Sequence, residues 1–243
     1  MPASFLFFAV TFGGLPPDQA LERALDAVEP PPAMRATFRA TLVSGNAVRR
    51  IEYDPYAERG EQFKVTMEYG KDEELDAVVA GWRDEGQADA RLFADDLRVS
   101  LGDARVSAYG AGLSIAFRHQ ISPNDGPVDA LISSRMVGKL ELDPSNGYLS
   151  QLHYNIEKPV KLDDGTTLTE YDQKYDFGYS ERWGVSYVTS YELEARGGRW
   201  GMSESRTIRV TLTDVAFGLA GDAKQEIASK PTSSLPGLTA NLR

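Results

Sequence analysis

The chain has 243 residues, of which 42% are hydrophobic and 10% aromatic, enough length and apolar content to bury a full core in one large domain. Its 26 Lys and Arg against 36 Asp and Glu leave a net charge of −10, a field that repels polyanions and disfavours nucleic-acid binding. With no cysteine there is no disulfide frame, thiolate metal site or cysteine nucleophile, and no apolar run reaches the roughly 18 to 20 residues of a membrane-spanning helix.

The first pattern in the chain is FLFFAV at Phe5 to Val10, followed by the small residues Thr11 and Gly13 and then Leu-Pro-Pro. It has the apolar stretch and small pair of a secretory signal without the basic start. Residues 1–14 are therefore expected to be a signal-peptide remnant, which places the protein in the periplasm or otherwise outside the cytoplasm. A packed N-terminal segment would instead leave it cytoplasmic. Next, Leu21, Ala24, Leu25 and Val28 recur at helical spacing, with Asp18 as the expected N-cap and Pro30 to Pro32 as the stop. One apolar stripe on so short a helix must lie against something larger.

That larger body reads as β-structure. Ala36, Phe38, Ala40 and Leu42 alternate, Ser44-Gly45-Asn46 supplies a turn, and Ile51 and Tyr53 continue in a second strand. Phe63, Val65, Met67 and Tyr69 alternate in a third. The period then changes: Leu75, Val78, Val79 and Trp82 share a helical face, with Asp72, Glu73 and Glu74 where a helix N-terminus favours negative charge. Residues 92–121 read as short strands with Gly-Asp and Gly-Ala-Gly turns, strongest over Leu113, Ile115 and Phe117, and residues 123–134 are ambiguous.

From Arg135 onward the pattern is a meander: two strands about the Asp143 to Gly147 turn, then three longer ones parted by Gly184 and by Gly197 and Gly198. Each strand has a richer face, carrying Leu152, Tyr154 and Ile156; then Tyr171, Tyr175 and Phe177; then Val185, Tyr187, Tyr191 and Leu193; then Ile208, Val210 and Leu212. The residues after 218 are poor in large apolar side chains and read as a flexible tail.

Reaction motifs are weak throughout. His119 and His153 fall in strands opposite their apolar neighbours, without the spacing of a metal site. Gly112 to Ala116, GLSIA, lacks the last glycine of a nucleophile elbow. The pairs Asp95 and Asp96, Asp163 and Asp164, and the Asp143 turn fit turn chemistry better than acid–base catalysis or a cation site. Trp82, Trp183 and Trp200 fit core or rim packing. No metal or cofactor is implied.

The order of helix, curved antiparallel sheet, second helix and long meander resembles the lipoprotein-carrier superfamily of Gram-negative envelopes, the LolA and LolB type. Residues 50–82, RIEYDPYAERGEQFKVTMEYGKDEELDAVVAGW, look like a block in exported bacterial proteins of uncharacterised role. GKLELDPSNGYLSQLHYNIEKP and SESRTIRVTLTDVAF look like their following hairpin and closing strand.

The resemblance implies a mainly β (α+β) fold over residues 15–218: a single curved antiparallel sheet forming a half-open barrel, with the N-terminal and inserted helices on its concave side. Within such a fold, the aromatic-rich strand faces and the lack of catalytic motifs lead to the expectation of a non-enzymatic binding protein for a lipid, acyl chain or other hydrophobic ligand. The expected pocket wall is Phe63, Met67, Trp82, Phe117, Tyr154, Tyr175, Tyr187 and Tyr191. Two rival readings stand beside it, an envelope module that binds a protein partner and no small ligand, and a hydrolase using Asp, Glu or His.

Overall fold

The computed structural model describes residues 16–84, 86, 88–94, 96–102, 107–109, 112–121, 126–199 and 202–220. The apolar stretch at Phe5 to Val10, the Gly110-Ala111 turn, Trp200 and the tail from residue 221 lie outside these. Helix α1 (Pro17–Val28) is followed by strands β1 (Met34–Ser44), β2 (Ala47–Tyr53) and β3 (Phe63–Tyr69), then by α2 (Glu73–Asp84), a 3₁₀ turn (Ala88–Leu92) and α3 (Leu97–Leu101). The chain continues through β4 (Ser107–Tyr109), β5 (Gly112–Arg118), α4 (Pro127–Ser133), β6 (Met136–Leu142), β7 (Leu149–Ile156), β8 (Val160–Lys161), β9 (Thr167–Ser180), β10 (Val185–Arg199) and β11 (Met202–Leu219).

The described strands join one antiparallel sheet in the order β3-β2-β1-β11-β10-β9-β7-β6-β5-β4, with β8 beside β9. It is open: its ends, β3 and β4, do not pair with each other. The chain is mainly β, with its helices packed on one side. There, α1 lies on β7 and β10, α2 on β1 and β2, the 3₁₀ turn on β1 and β10, and α3 on β5.

Register explains which side chains meet. Residues paired across neighbouring strands share a face, so one row runs Leu140, Leu152, Tyr175, Tyr191, Val210, Leu42 on the helix side. The adjacent row on the same face runs Gly138, Tyr154, Gln173, Leu193, Ile208, Ser44. The opposite face carries Lys139, His153, Lys174, Glu192 and Arg209 in one row and Glu141, Gln151, Asp176, Ser190 and Thr211 in the next. One solvated and one covered side is what strict alternation dictates.

Two clusters form the core. One joins β1, β2 and β11 to α2 and the 3₁₀ turn through Phe38, Leu42, Ile51, Leu75, Trp82, Leu92 and Phe217. The other joins β5, β6 and β7 to α1 and α3 through Leu25, Val28, Leu97, Leu101, Ile115, Leu140 and Leu152. The clusters meet on β9, where Tyr175 and Phe177 pack against both. Gly138 belongs to this geometry: a Cβ there would stand 2.2 Å from the Phe117 ring, so glycine on β6 is what lets the aromatic ring of β5 lie flat.

Several expectations are corrected. Residues 88–92 and 97–101 are helical turns; Leu92, Leu97 and Leu101 bury one face of them, and five-residue helices hold too few periods to show their stripe. The ambiguous stretch contains α4. Gly197 and Gly198 lie within β10. Helix α1 begins at Pro17 with Pro16 at the cap position, so Asp18 lies in its first turn and is not the cap.

His119 follows β5, and its ring meets Tyr154 edge-on at 5.1 Å, on the helix side. A shift of register between Arg50 and Ile51 inserts an extra residue in β3. Phe63 and Val65 therefore share the helix side with Tyr53 and Ile51, while Met67 and Tyr69 turn to the other face with Arg50 and Val48.

Candidate functional site

The expected wall residues separate into three groups. Trp82, Phe117, Tyr154 and Tyr187 are 6–7% exposed and belong to the closed clusters. Met67 is 39% exposed on the edge strand, on the opposite face. Phe63, Tyr175 and Tyr191 are half-buried; Tyr175 packs against both clusters and Tyr191, its cross-strand neighbour, against the first.

Around them the structure assembles a seam. Tyr175 and Tyr191 face each other across β9 and β10 with ring centroids 4.8 Å apart. Tyr154 meets Tyr175 edge-on at 6.4 Å and Phe117 at 5.8 Å, so an aromatic series crosses the sheet from β5 to β10. Tyr171, Gln173 and Tyr175 recur at every second residue of β9, which puts all three on the helix side, and all three keep partial exposure, as Leu193 and Ala195 do on β10. Closed packing on either side and partial exposure between mark a half-buried strip on the helix side of β9 and β10.

The electrostatics of the strip are those of a dry surface. Burial, reinforced by neighbouring phenols, drives the hydroxyls of Tyr175 and Tyr191 well above their ordinary titration range, and burial raises that of Tyr171 as well. All three are neutral donors at any physiological pH. Gln173 Nε2 donates to the Tyr171 hydroxyl at 2.7 Å. Sequence reasoning passed over Gln173 because it is polar; the signal was its place in the strict alternation of Tyr171, Tyr175 and Phe177.

At the end of the strip Arg206 stands beside Ala195, itself paired with Tyr171. Its guanidinium is engaged by Asp72 and Glu74 at the start of α2, and its Nε is buried without a partner. Burial opposes the Asp72 charge, yet the Leu75 N–H, Ser44 and Arg206 together hold its carboxyl at about 2.

The other face offers a groove of about 380 Å³ lined by Lys139, Glu141, Gln151, His153, Lys174, Asp176 and their neighbours. Its charges are spent on one another. His153 Nε2 lies 2.6 Å from Asp172, which also holds Lys174 at 3.2 Å, and Lys139 pairs with Glu141 and Arg209 with Glu192. Ser190, a serine lining the groove, donates to Asp176 at 2.6 Å. The turn carboxylates do local work: Asp143 accepts the Ser145 N–H and Asp164 the Thr166 N–H. Among the described residues no three His, Asp or Glu side chains are grouped to hold a metal ion.

No family model and no curated protein matches the chain. Among solved structures, the crystal structure of MucB in complex with MucA(peri) aligns with 81% of this chain and 93% of that one at 12% identity, with a TM-score of 0.21. That superposition is too loose to carry any inference about fold or site. No helix among the described residues is long and apolar enough to cross a membrane.

Proposed function

We propose that this chain is an exported, non-enzymatic binding protein whose half-barrel sheet holds an apolar ligand, a lipid or acyl chain, along the seam between its two clusters. The observation that carries the reading is the pair Tyr175 and Tyr191: half-buried aromatic rings in contact, on the covered face of the sheet, with closed core on both sides. Such a strip buries an apolar guest while phenol and amide groups orient it.

The test is equilibrium binding of a pyrene-labelled long-chain ester. Tyr191→Ala is expected to weaken binding about tenfold, or ~1.4 kcal/mol, while Met67→Ala on the opposite face leaves it unchanged. Equal effects of the two substitutions would remove the seam from the site. Intact mass of the mature protein from a Gram-negative host tests export separately, by whether residues 1–14 are missing.

A second reading has its own observation. Val65, Met67 and Tyr69 are 37%, 39% and 57% exposed on β3, the unpaired edge of the sheet. An edge strand with apolar side chains on both faces suits a protein partner that adds a strand. Met67→Lys would abolish that association and spare ester binding.

A further inference from the structure

We infer that the seam selects a ligand carrying one uncharged hydrogen-bonding group, an ester or amide carbonyl, and that Gln173 with its flanking phenols is the selecting element. This rests on the seam being the ligand site.

Gln173 is a side-chain amide in an apolar row. Its cross-strand neighbours on the helix side are Tyr154 and Leu193, and beyond them Gly138 and Ile208; along its own strand the same-face neighbours are Tyr171 and Tyr175. A primary amide placed there is costly unless its donors and acceptor are used. One N–H goes to the Tyr171 hydroxyl at 2.7 Å, and the amide also interacts with the Tyr191 hydroxyl. Tyr171, accepting from Gln173, keeps its own O–H to give. The amide thereby holds two phenols in place, and the cluster presents their neutral O–H donors on a half-buried strip, the complement of a carbonyl oxygen.

The surrounding charges argue against an anionic head. Arg206, on the same face one row further along, is already neutralised by Asp72 and Glu74, so a carboxylate there would meet two acids. Asp96 and Asp129 add negative potential at Tyr175 and Tyr171 respectively. Arg91 lowers the hydroxyls of Tyr175 and Tyr191, and its guanidinium stands over the Trp82 ring at 5.6 Å.

The experiment compares three pyrene-labelled probes of one chain length, a methyl ester, a free carboxylate and a plain hydrocarbon, on the wild type and on Gln173→Leu. The wild type is expected to bind the ester at least fivefold more tightly than the carboxylate. Gln173→Leu should lower ester affinity five- to tenfold and leave hydrocarbon affinity unchanged, and Tyr171→Phe should lower ester affinity two- to threefold. Equal loss for the ester and the hydrocarbon would assign Gln173 a packing role and overturn the inference, as would a wild-type preference for the carboxylate. If the folded wild type binds none of the three, the seam itself is refuted and the selection falls with it. Should Gln173→Leu fail to fold, Tyr171→Phe decides by the same ratio.

Discussion

The two faces of the sheet use the same alternating strands for opposite ends. On β9, Tyr171, Gln173 and Tyr175 face the helices while Asp172, Lys174 and Asp176 face solvent, one residue out of step. The covered face holds few charges, and Arg49 and Arg206 there are held by specific partners. Arg49, its side chain 4% exposed, reaches Asp76 at 2.7 Å and the carbonyls of Tyr69 and Gly70 at 2.8 and 3.1 Å. The open face holds many charges, paired loosely in water. The lesson is that a charge counts for stability where water is excluded and counts little where it is not.

The largest break in this contrast comes from space rather than charge. Gly138→Ala drives a methyl group into the Phe117 ring and is expected to cost about 3 kcal/mol, read as the midpoint of urea unfolding; adding Phe117→Leu should recover part of the loss. If Gly138→Ala melts like the wild type, the packing of that face is looser than the register implies.

Two carboxylates of the covered side give a sharper test, because they titrate with opposite signs. Asp72 is held at about 2 in the fold against 3.8 ordinarily. Its contribution, roughly 2 kcal/mol at most, is present above pH 3.8 and is lost as pH falls through about 2. Asp89, on the 3₁₀ turn and 5% exposed, accepts the Ala36 N–H at 3.1 Å, and burial raises its carboxyl above 3.8. Its neighbour Tyr53 is pushed up to about 12, by burial first and by Asp89 next.

A raised acid favours the fold fully below pH 3.8 and loses that contribution as pH rises through its folded value. Asp89→Asn should therefore flatten the pH dependence above 3.8, whereas Asp72→Asn flattens it below. Thermal melts from pH 2 to 8 on the two variants separate these, and matching profiles would contradict both assignments.

The smallest effect belongs to the open face. Lys174→Ala removes the 3.2 Å pair with Asp172, with Lys174 exposed, and should cost less than ~1 kcal/mol, shrinking further in high salt. A salt-insensitive loss above that would mean the groove is drier than its exposure indicates.

Much of this architecture was legible because alternation is a local property. Ala36 through Leu42 and Leu152 through Ile156 announce their buried face in the chain itself, and Tyr175 and Tyr191 fall on the helix side by the same rule. Features decided by a neighbouring strand were not legible. Met67 changes face through a bulge that only pairing with β2 creates, and Gly138 acquires its purpose from Phe117 on another strand. Leu92, Leu97 and Leu101 were misread because Asp96 and Gly102 bound a helix of little more than one turn. Gln173 went unnoticed since a polar residue carries no hydrophobic signal, although its neighbours at every second position did.

The pairing of β1 with β11, Leu42 opposite Val210, also sets a timetable. The earliest and latest strands of the described chain lie side by side in the middle of the sheet, so the centre cannot close until the last strand has left the ribosome. Contacts this distant in sequence are slow to form, and until they form β1 and β10 each present an unsatisfied edge. Such a sheet stays in two halves, each with an open edge, until β11 is in place between them.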